Sequence, residues 1–294
     1  MQIKPIRCSI HYSSISCGCN ARRAPVVLPG AGKRVGMINL SSFLRFHAIR
    51  TPDRLAVVYG SERITYGDLF DHMRQLAAFL HAKGVGEGDV VGVFMKNSAA
   101  FLDIAFATSY LGAVFLPLNY RLATTEVTYI VDNAGAVLVF GDEEFGDVLG
   151  DIKDVQLVGE AAQHDIRALT GRAEVIPDEV VRQPEDLFRL MYTSGTTDRP
   201  KGVMHSYDNF YWKCMDHVMS LELTVASRLL VAGPLYHVGA FDLPGLAVLW
   251  MGGIMCVHRD FDAGSVLASI QDEQLTGAWL APVMLTQILA HPGR

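Results

Sequence analysis

Residues 192–202 read Tyr192-Thr-Ser-Gly-Thr-Thr-Asp-Arg-Pro-Lys-Gly202, a set of residue types that suits a ligand rich in anionic oxygen. Gly195 lets the backbone come close to such a ligand, and N–H groups freed by the turn can point at it. The hydroxyls of Thr193, Ser194, Thr196 and Thr197 add neutral donors, and Lys201 adds a point charge. A polyphosphate fits that combination. The stretch is not a Walker A loop, because no Gly directly precedes Lys201 and Gly202 follows it. Thr193-Ser194-Gly195 is also not the Gly-x-Ser-x-Gly elbow of a serine hydrolase. Composition alone leaves a second reading open, a solvated Ser/Thr/Gly turn between two strands.

A second candidate is Tyr236-His237-Val-Gly239, where a histidine follows an aromatic residue. It is either a pocket-edge histidine satisfied by backbone or a group that meets substrate. The remaining nine histidines are scattered without metal-ligand spacing. Arg121 reads as an exposed helix-edge arginine rather than an anion site. Glu126 reads as an acid placed at a helix start by the helix dipole.

The elements that would position these residues alternate between strand and helix. Apolar periodicity predicts helices over 41–50, 66–83, 124–132, 263–273 and 283–290, and a largely apolar helix to Tyr110 capped by Ser98. Ser206 caps another, through Tyr211 and Met215. Strands are expected at 55–59, 63–66, 89–95, 114–118, 136–140, 228–232, 254–258 and 278–280, with Gly60-Ser61 turning a hairpin. Residues 141–184 lack a clear period, and 243–251 read as a buried helix. The alternation argues for parallel pairing through crossovers.

Composition bounds the class. Half of the 294 residues are hydrophobic and 19% are charged, so the chain is globular. A net charge of −6 gives no support to nucleic-acid binding. The longest apolar stretch, 243–257, is broken by Pro244, Gly245, Gly252 and Gly253, so no membrane span is expected. Five cysteines without paired metal spacing suggest reduced thiols in a cytoplasmic protein. Residues 1–36 carry six Lys/Arg and no acid, leaving −12 on the rest of the chain. They read as a disordered or artefactual extension rather than a targeting segment, with the natural fold starting near Met37.

The order of residues in the loop narrows the choice. Thr193-Ser-Gly-Thr-Thr-x-x-Pro200-Lys201-Gly202 resembles the phosphate-binding loop of the adenylate-forming, AMP-binding enzymes, which include acyl-CoA synthetases, luciferases and peptide-synthetase adenylation domains. One position departs: the family usually has Gly where this chain has Asp198. Four further segments match in order, namely Arg63-Ile-Thr-Tyr66, Pro117-Leu-Asn119-Tyr-Arg121-Leu with Glu126, Pro234-Leu-Tyr236-His237, and Ala281-Pro282-Val-Met284-Leu285. The resemblance covers about residues 40–294.

It implies an α/β fold over 37–294, the first part of a large N-terminal adenylation domain. Stacked sheets flanked by helices would carry the phosphate loop on a hairpin at their junction. It further implies ATP-dependent, AMP-forming activation of a fatty or aryl acid to acyl-adenylate, then with CoA to a thioester. Thr193, Ser194, Gly195, Thr196 and Thr197 would grip the β- and γ-phosphates. Lys201 would touch phosphate or, as favoured here, brace the loop. His237 is the catalytic candidate, lining the carboxylate end of the acyl pocket, and Tyr236 would wall that pocket. Mg2+ is implied too, but the family's Tyr-Gly-x-Thr-Glu segment, its ribose-binding Asp and its C-terminal lysine domain are not found up to Arg294. The expectation is therefore roughly half of such an enzyme, the alternative being an inactive fragment or pseudoenzyme that binds nucleotide weakly.

Overall fold

The computed structural model describes residues 39–159, 164–171, 173, 175–193 and 199–293, all inside the compact unit Val35–Arg294. The reading of residues 1–36 lies outside these, as do Ser194, Gly195, Thr196 and Thr197. In chain order the strands are β1 (Leu55–Tyr59), β2 (Glu62–Thr65), β3 (Val90–Phe94), β4 (Val114–Pro117), β5 (Ala136–Asp142), β6 (Val155–Val158), β7 (Leu187–Thr193), β8 (Lys201–Ser206), β9 (Arg228–Val231), β10 (Ile254–Val257) and β11 (Gly277–Trp279). The helices are α1 (Leu40–Arg50), α2 (Tyr66–Ala82), α3 (Ala99–Tyr110), α4 (Thr124–Ala134), α5 (Ile166–Thr170), α6 (Tyr207–Ser220), α7 (Val238–Ala240), α8 (Ala247–Trp250), α9 (Ala263–Asp272) and α10 (Pro282–Ala290).

Two sheets result. One has five strands in the order β11-β9-β10-β1-β2, the other six in the order β6-β5-β3-β4-β7-β8. Pairing is parallel except for the two hairpins, β1–β2 and β7–β8, as the strand–helix alternation requires.

The two-residue period of each strand assigns its faces to different cores. Val91 and Val93 of β3, Phe115 of β4, Phe140 of β5, and Leu229 and Val231 of β9 join one large cluster with α1, α2, α3, α6 and α8. Their neighbours Val90, Phe94, Val114, Leu116 and Val139 turn the other way, onto α4. Leu230 and Ala232 face α9 and α10 in a third, smaller cluster. Helices therefore fill the space between the two sheets, and further helices cover their outer faces. The apolar α3 is buried nearly all round because it lies in the central layer.

Local chemistry sets the ends of these elements. Ser98 accepts the Phe101 N–H at α3, and Ser206 accepts that of Asn209 at α6, as read from sequence. Thr65 and Asp68 form a reciprocal capping box at α2. Glu126 reaches back to the Ala123 N–H at 2.9 Å, so its place at the helix start rests on a hydrogen bond as well as on the dipole.

Two expectations changed. The stretch without period contains β6 and α5. β6 adds to the sheet edge beside β5 and is only partly buried, so it shows no strong alternation. The helix expected over 243–251 forms only at Ala247–Trp250. Before it, Phe241–Leu246 makes a wider turn, with Leu243 and Pro244 out of helical geometry, since proline clashes with the preceding turn and lacks an N–H to continue it. No helix among the described residues is long and apolar enough to cross a membrane.

Candidate functional site

The antiparallel ladder of β7 and β8 ends on the pairs Tyr192↔Gly202 and Thr193↔Lys201, so the hydroxyl-rich loop is the connection of a sheet-edge hairpin. Thr193 and Lys201 stand exposed on its last rung. Both flanks are tied to α4. The Tyr192 hydroxyl donates to Asn133 Oδ1 at 2.6 Å, and the Arg199 guanidinium lies 5.4 Å from the Tyr129 ring centre. Burial raises the Tyr192 pKa above its ordinary value, which keeps the phenol a donor. The Tyr192 ring also covers Gly202, where an added Cβ would meet it at 3.1 Å.

His237 sits where the chain leaves β9 and caps the short α7. Its Nδ1 accepts the Gly239 N–H at 3.1 Å, so in the neutral ring Nε2 carries the proton. The ring is exposed, with the Trp279 indole at 6.5 Å. Trp279 lies across the glycines on both sides of the histidine: an added Cβ would come within 2.6 Å of the indole at Gly233 and within 2.3 Å at Gly239. Tyr236 is half-buried; burial, the largest influence on it, raises its pKa. Its hydroxyl lies 3.4 Å from Arg121 Nη1, and its ring meets Tyr120 edge-on at 5.5 Å. Two of the matched segments, 117–122 and 234–237, thus touch each other.

Sequence reading missed two buried clamps that set the places of these loops. Asn97, in the turn between β3 and α3, is 2% exposed. Its Nδ2 donates to the carbonyls of Gly233 at 2.7 Å and His258 at 2.9 Å, and its Oδ1 accepts the Leu235 N–H at 2.7 Å. One side chain from the six-stranded sheet therefore holds the approach to His237 in the five-stranded one. The second clamp is Arg189 on β7, which forks onto Asp242 at 2.8 and 2.6 Å, both residues being buried. Arg189 Nη2 also donates to His205 Nδ1 at 2.8 Å. Burial, followed by Arg189 itself, lowers the His205 pKa and keeps that nitrogen free to accept. The pair joins β7, the strand that enters the hydroxyl-rich loop, to the segment that follows His237. A signal was present, since Arg189 is the one charged residue in the apolar run 187–192.

A groove of about 740 Å³ is lined by Trp279 together with Leu229, Leu243, Pro244 and Val248. Among the described residues no group of three or more His, Cys, Asp or Glu is placed to hold a metal ion. Among the described residues the arrangement offers an exposed hairpin end, with Thr193 and Lys201 on its last rung, an imidazole Nε2–H at His237 and a largely apolar groove lined in part by Trp279.

Residues 44–294 match the family described as AMP-binding enzyme. A feruloyl-CoA synthase from Amycolatopsis sp is 34% identical over 245 residues, 82% of this chain and 48% of that protein. A 2-succinylbenzoate–CoA ligase from Geobacillus sp. (strain WCH70) is 31% identical over 261 residues, 87% of this chain and 50% of that one. Among solved structures, the inhibitor-bound N-terminal domain of FACL13 from Mycobacterium tuberculosis superposes with a TM-score of 0.79 at 28% identity, covering 87% of this chain and 66% of that one. The chain spans about half the length of the curated relatives it matches.

Proposed function

The chain belongs to the AMP-binding enzyme family, and from that premise we propose that it supplies the polyphosphate- and acid-binding elements of an ATP-dependent, AMP-forming acyl-CoA synthetase. In that reaction a carboxylate oxygen attacks the α-phosphorus of ATP, and the bond to pyrophosphate breaks. The CoA thiol then attacks the acyl carbon and AMP leaves. Both steps bring anions together, so the protein's task is to orient them and to place donors where charge gathers.

Thr193, Ser194, Gly195, Thr196 and Thr197 take the β- and γ-phosphates in this reading, and Lys201 braces the hairpin. His237 presents Nε2–H to the carboxylate end of the acid, Tyr236 walls it, and the groove beside Trp279 takes the apolar body. The Arg189–Asp242 pair is the observation that carries the reading, because it fixes the phosphate hairpin to the histidine segment through a buried fork. The family also implies Mg2+. The described residues do not assemble a site for it.

The names of the relatives favour an aromatic over a fatty acid: feruloyl, 2-succinylbenzoate and indoleacetate are the acyl groups in them. A second reading is nucleotide binding without turnover. Pyrophosphate release and acyl-CoA formation, measured with ATP, Mg2+, CoA and a panel of aryl and fatty acids, decide between them. Turnover fastest with aryl acids is the expected result. ATP binding in a titration without any turnover favours the second reading, and neither binding nor turnover overturns both.

A further inference from the structure

Three acids are buried among the described residues, and two of them, Asp142 and Asp242, are paired with an arginine. The third, Asp103 on α3, is not. It is 2% exposed and its Oδ1 makes no hydrogen bond. The groups facing it are His72 from α2, Glu62 from β2 and Arg167 from α5. His72 Nδ1 stands 3.9 Å from Asp103 Oδ2, beyond hydrogen-bond reach, and is itself without a partner. Burial lowers the His72 pKa, so the ring is neutral near pH 7 and offers no compensating charge. Arg167 is engaged with Glu62 at 2.6 Å. An acid buried in this way is costly unless something meets it.

Beside Asp103 lies a cavity of about 300 Å³. Its lining carries six carboxylates (Glu62, Asp103, Asp142, Glu143, Glu144 and Asp165) against two guanidiniums, Arg167 and Arg259. Arg259 is shared between Asp142, at 3.0 Å, and Glu144, while Glu143 meets His164 at 2.9 Å. Lys96 meets Glu144 as well, at 3.5 Å, and Asp165 accepts the Arg167 N–H at 2.9 Å, so among the described lining residues Asp103 is the carboxylate left with no arginine or lysine partner and no hydrogen bond to its Oδ1. Two features point away from a bare metal ion. The acids do not converge into a metal-holding group, and Met95, Ala100 and Val158 add apolar wall to a space far larger than an ion. We propose that this cavity binds a small organic ammonium ion, a protonated primary amine of a few carbons, whose N–H donors meet Asp103 and whose chain lies against Met95, Ala100 and Val158.

Binding requires the ionised form of Asp103, whose carboxyl burial pushes up to about 7. Affinity then rises with pH, by about tenfold between pH 6 and pH 8, because the carboxylate fraction grows by that factor while the amine stays charged. Protonation of His72 at the acid end acts in the same direction.

The test is calorimetric titration of the 294-residue chain with n-butylammonium chloride at pH 8 and pH 6 and constant ionic strength. Parallel titrations use n-butanol and magnesium chloride. The expected result is saturable one-site binding of butylammonium, about tenfold weaker at pH 6, and none of n-butanol. Asp103→Asn, nearly isosteric with the acid, should weaken it at least tenfold with little change in melting temperature. Ala100→Leu, which leaves the carboxylate and fills the space, should weaken it likewise. Should Asp103→Asn fail to fold, Ala100→Leu decides alone. The proposal is overturned by absence of saturable binding, by unchanged affinity in the folded variants, or by magnesium binding as tightly with the same dependence on Asp103.

Discussion

The β7–β8 hairpin and the segment around His237 are both loops that meet ligand in the proposed reaction, yet they are held in opposite ways. The hairpin is fixed from its base by backbone pairing and by a buried charge pair, Arg189–Asp242. The histidine segment is fixed from the side by a neutral amide, Asn97, and by an indole laid over two glycines. A charged clamp is costly to leave half made, whereas a neutral clamp loses its hydrogen bonds one at a time. Breaking the first should therefore hurt more than breaking the second, although both serve the same site.

The largest effect is expected for Asp242→Ala, which strands the Arg189 guanidinium in the core. Chemical denaturation should show a loss of about 3–5 kcal/mol. Replacing both partners, as Arg189→Met with Asp242→Leu, should recover most of it, and failure to recover would mean that the pair also specifies packing. Next comes Asn97→Ala. Three buried backbone groups lose their partner, at about 1 kcal/mol each, so roughly 3 kcal/mol is expected. A loss equal to that of Asp242→Ala would erase the contrast between the clamps. Gly239→Ala drives a methyl into Trp279 and should cost about 1–3 kcal/mol. The penalty should shrink when Trp279 is changed to Leu, a comparison readable from melting temperatures. His237→Ala should change stability least, by less than about 1 kcal/mol, since an exposed ring and one N-cap contact are lost. Acyl-CoA formation should nonetheless fall sharply, and an unaltered rate would remove His237 from the proposed chemistry.

The parts legible in sequence were those written locally. Caps at Ser98 and Ser206, the alternation of strands with helices, and the hairpin around the hydroxyl-rich loop all follow from residues within a few positions of one another. The clamps were not legible. Asn97 reaches partners 136–161 residues away and Arg189 reaches one 53 residues away, and no periodicity encodes such separations. β6 escaped notice because an edge strand partly exposed on its faces needs no alternation. Pro244 did signal a broken helix in the 243–251 run, and its rigid ring outweighed the apolar pattern.

Sheet order also has a meaning in time. β1 lies between β2 and β10, and β10 begins 195 residues after Tyr59. At roughly 5–20 residues per second of synthesis, β1 waits on the order of 10–40 s for that neighbour. Through this interval Leu55-Ala-Val-Val-Tyr59 has only its hairpin partner, and its open side is a template for pairing with another nascent chain. The yield of folded protein from a crowded ribosome should therefore depend on how well that one strand is shielded until its late partner emerges.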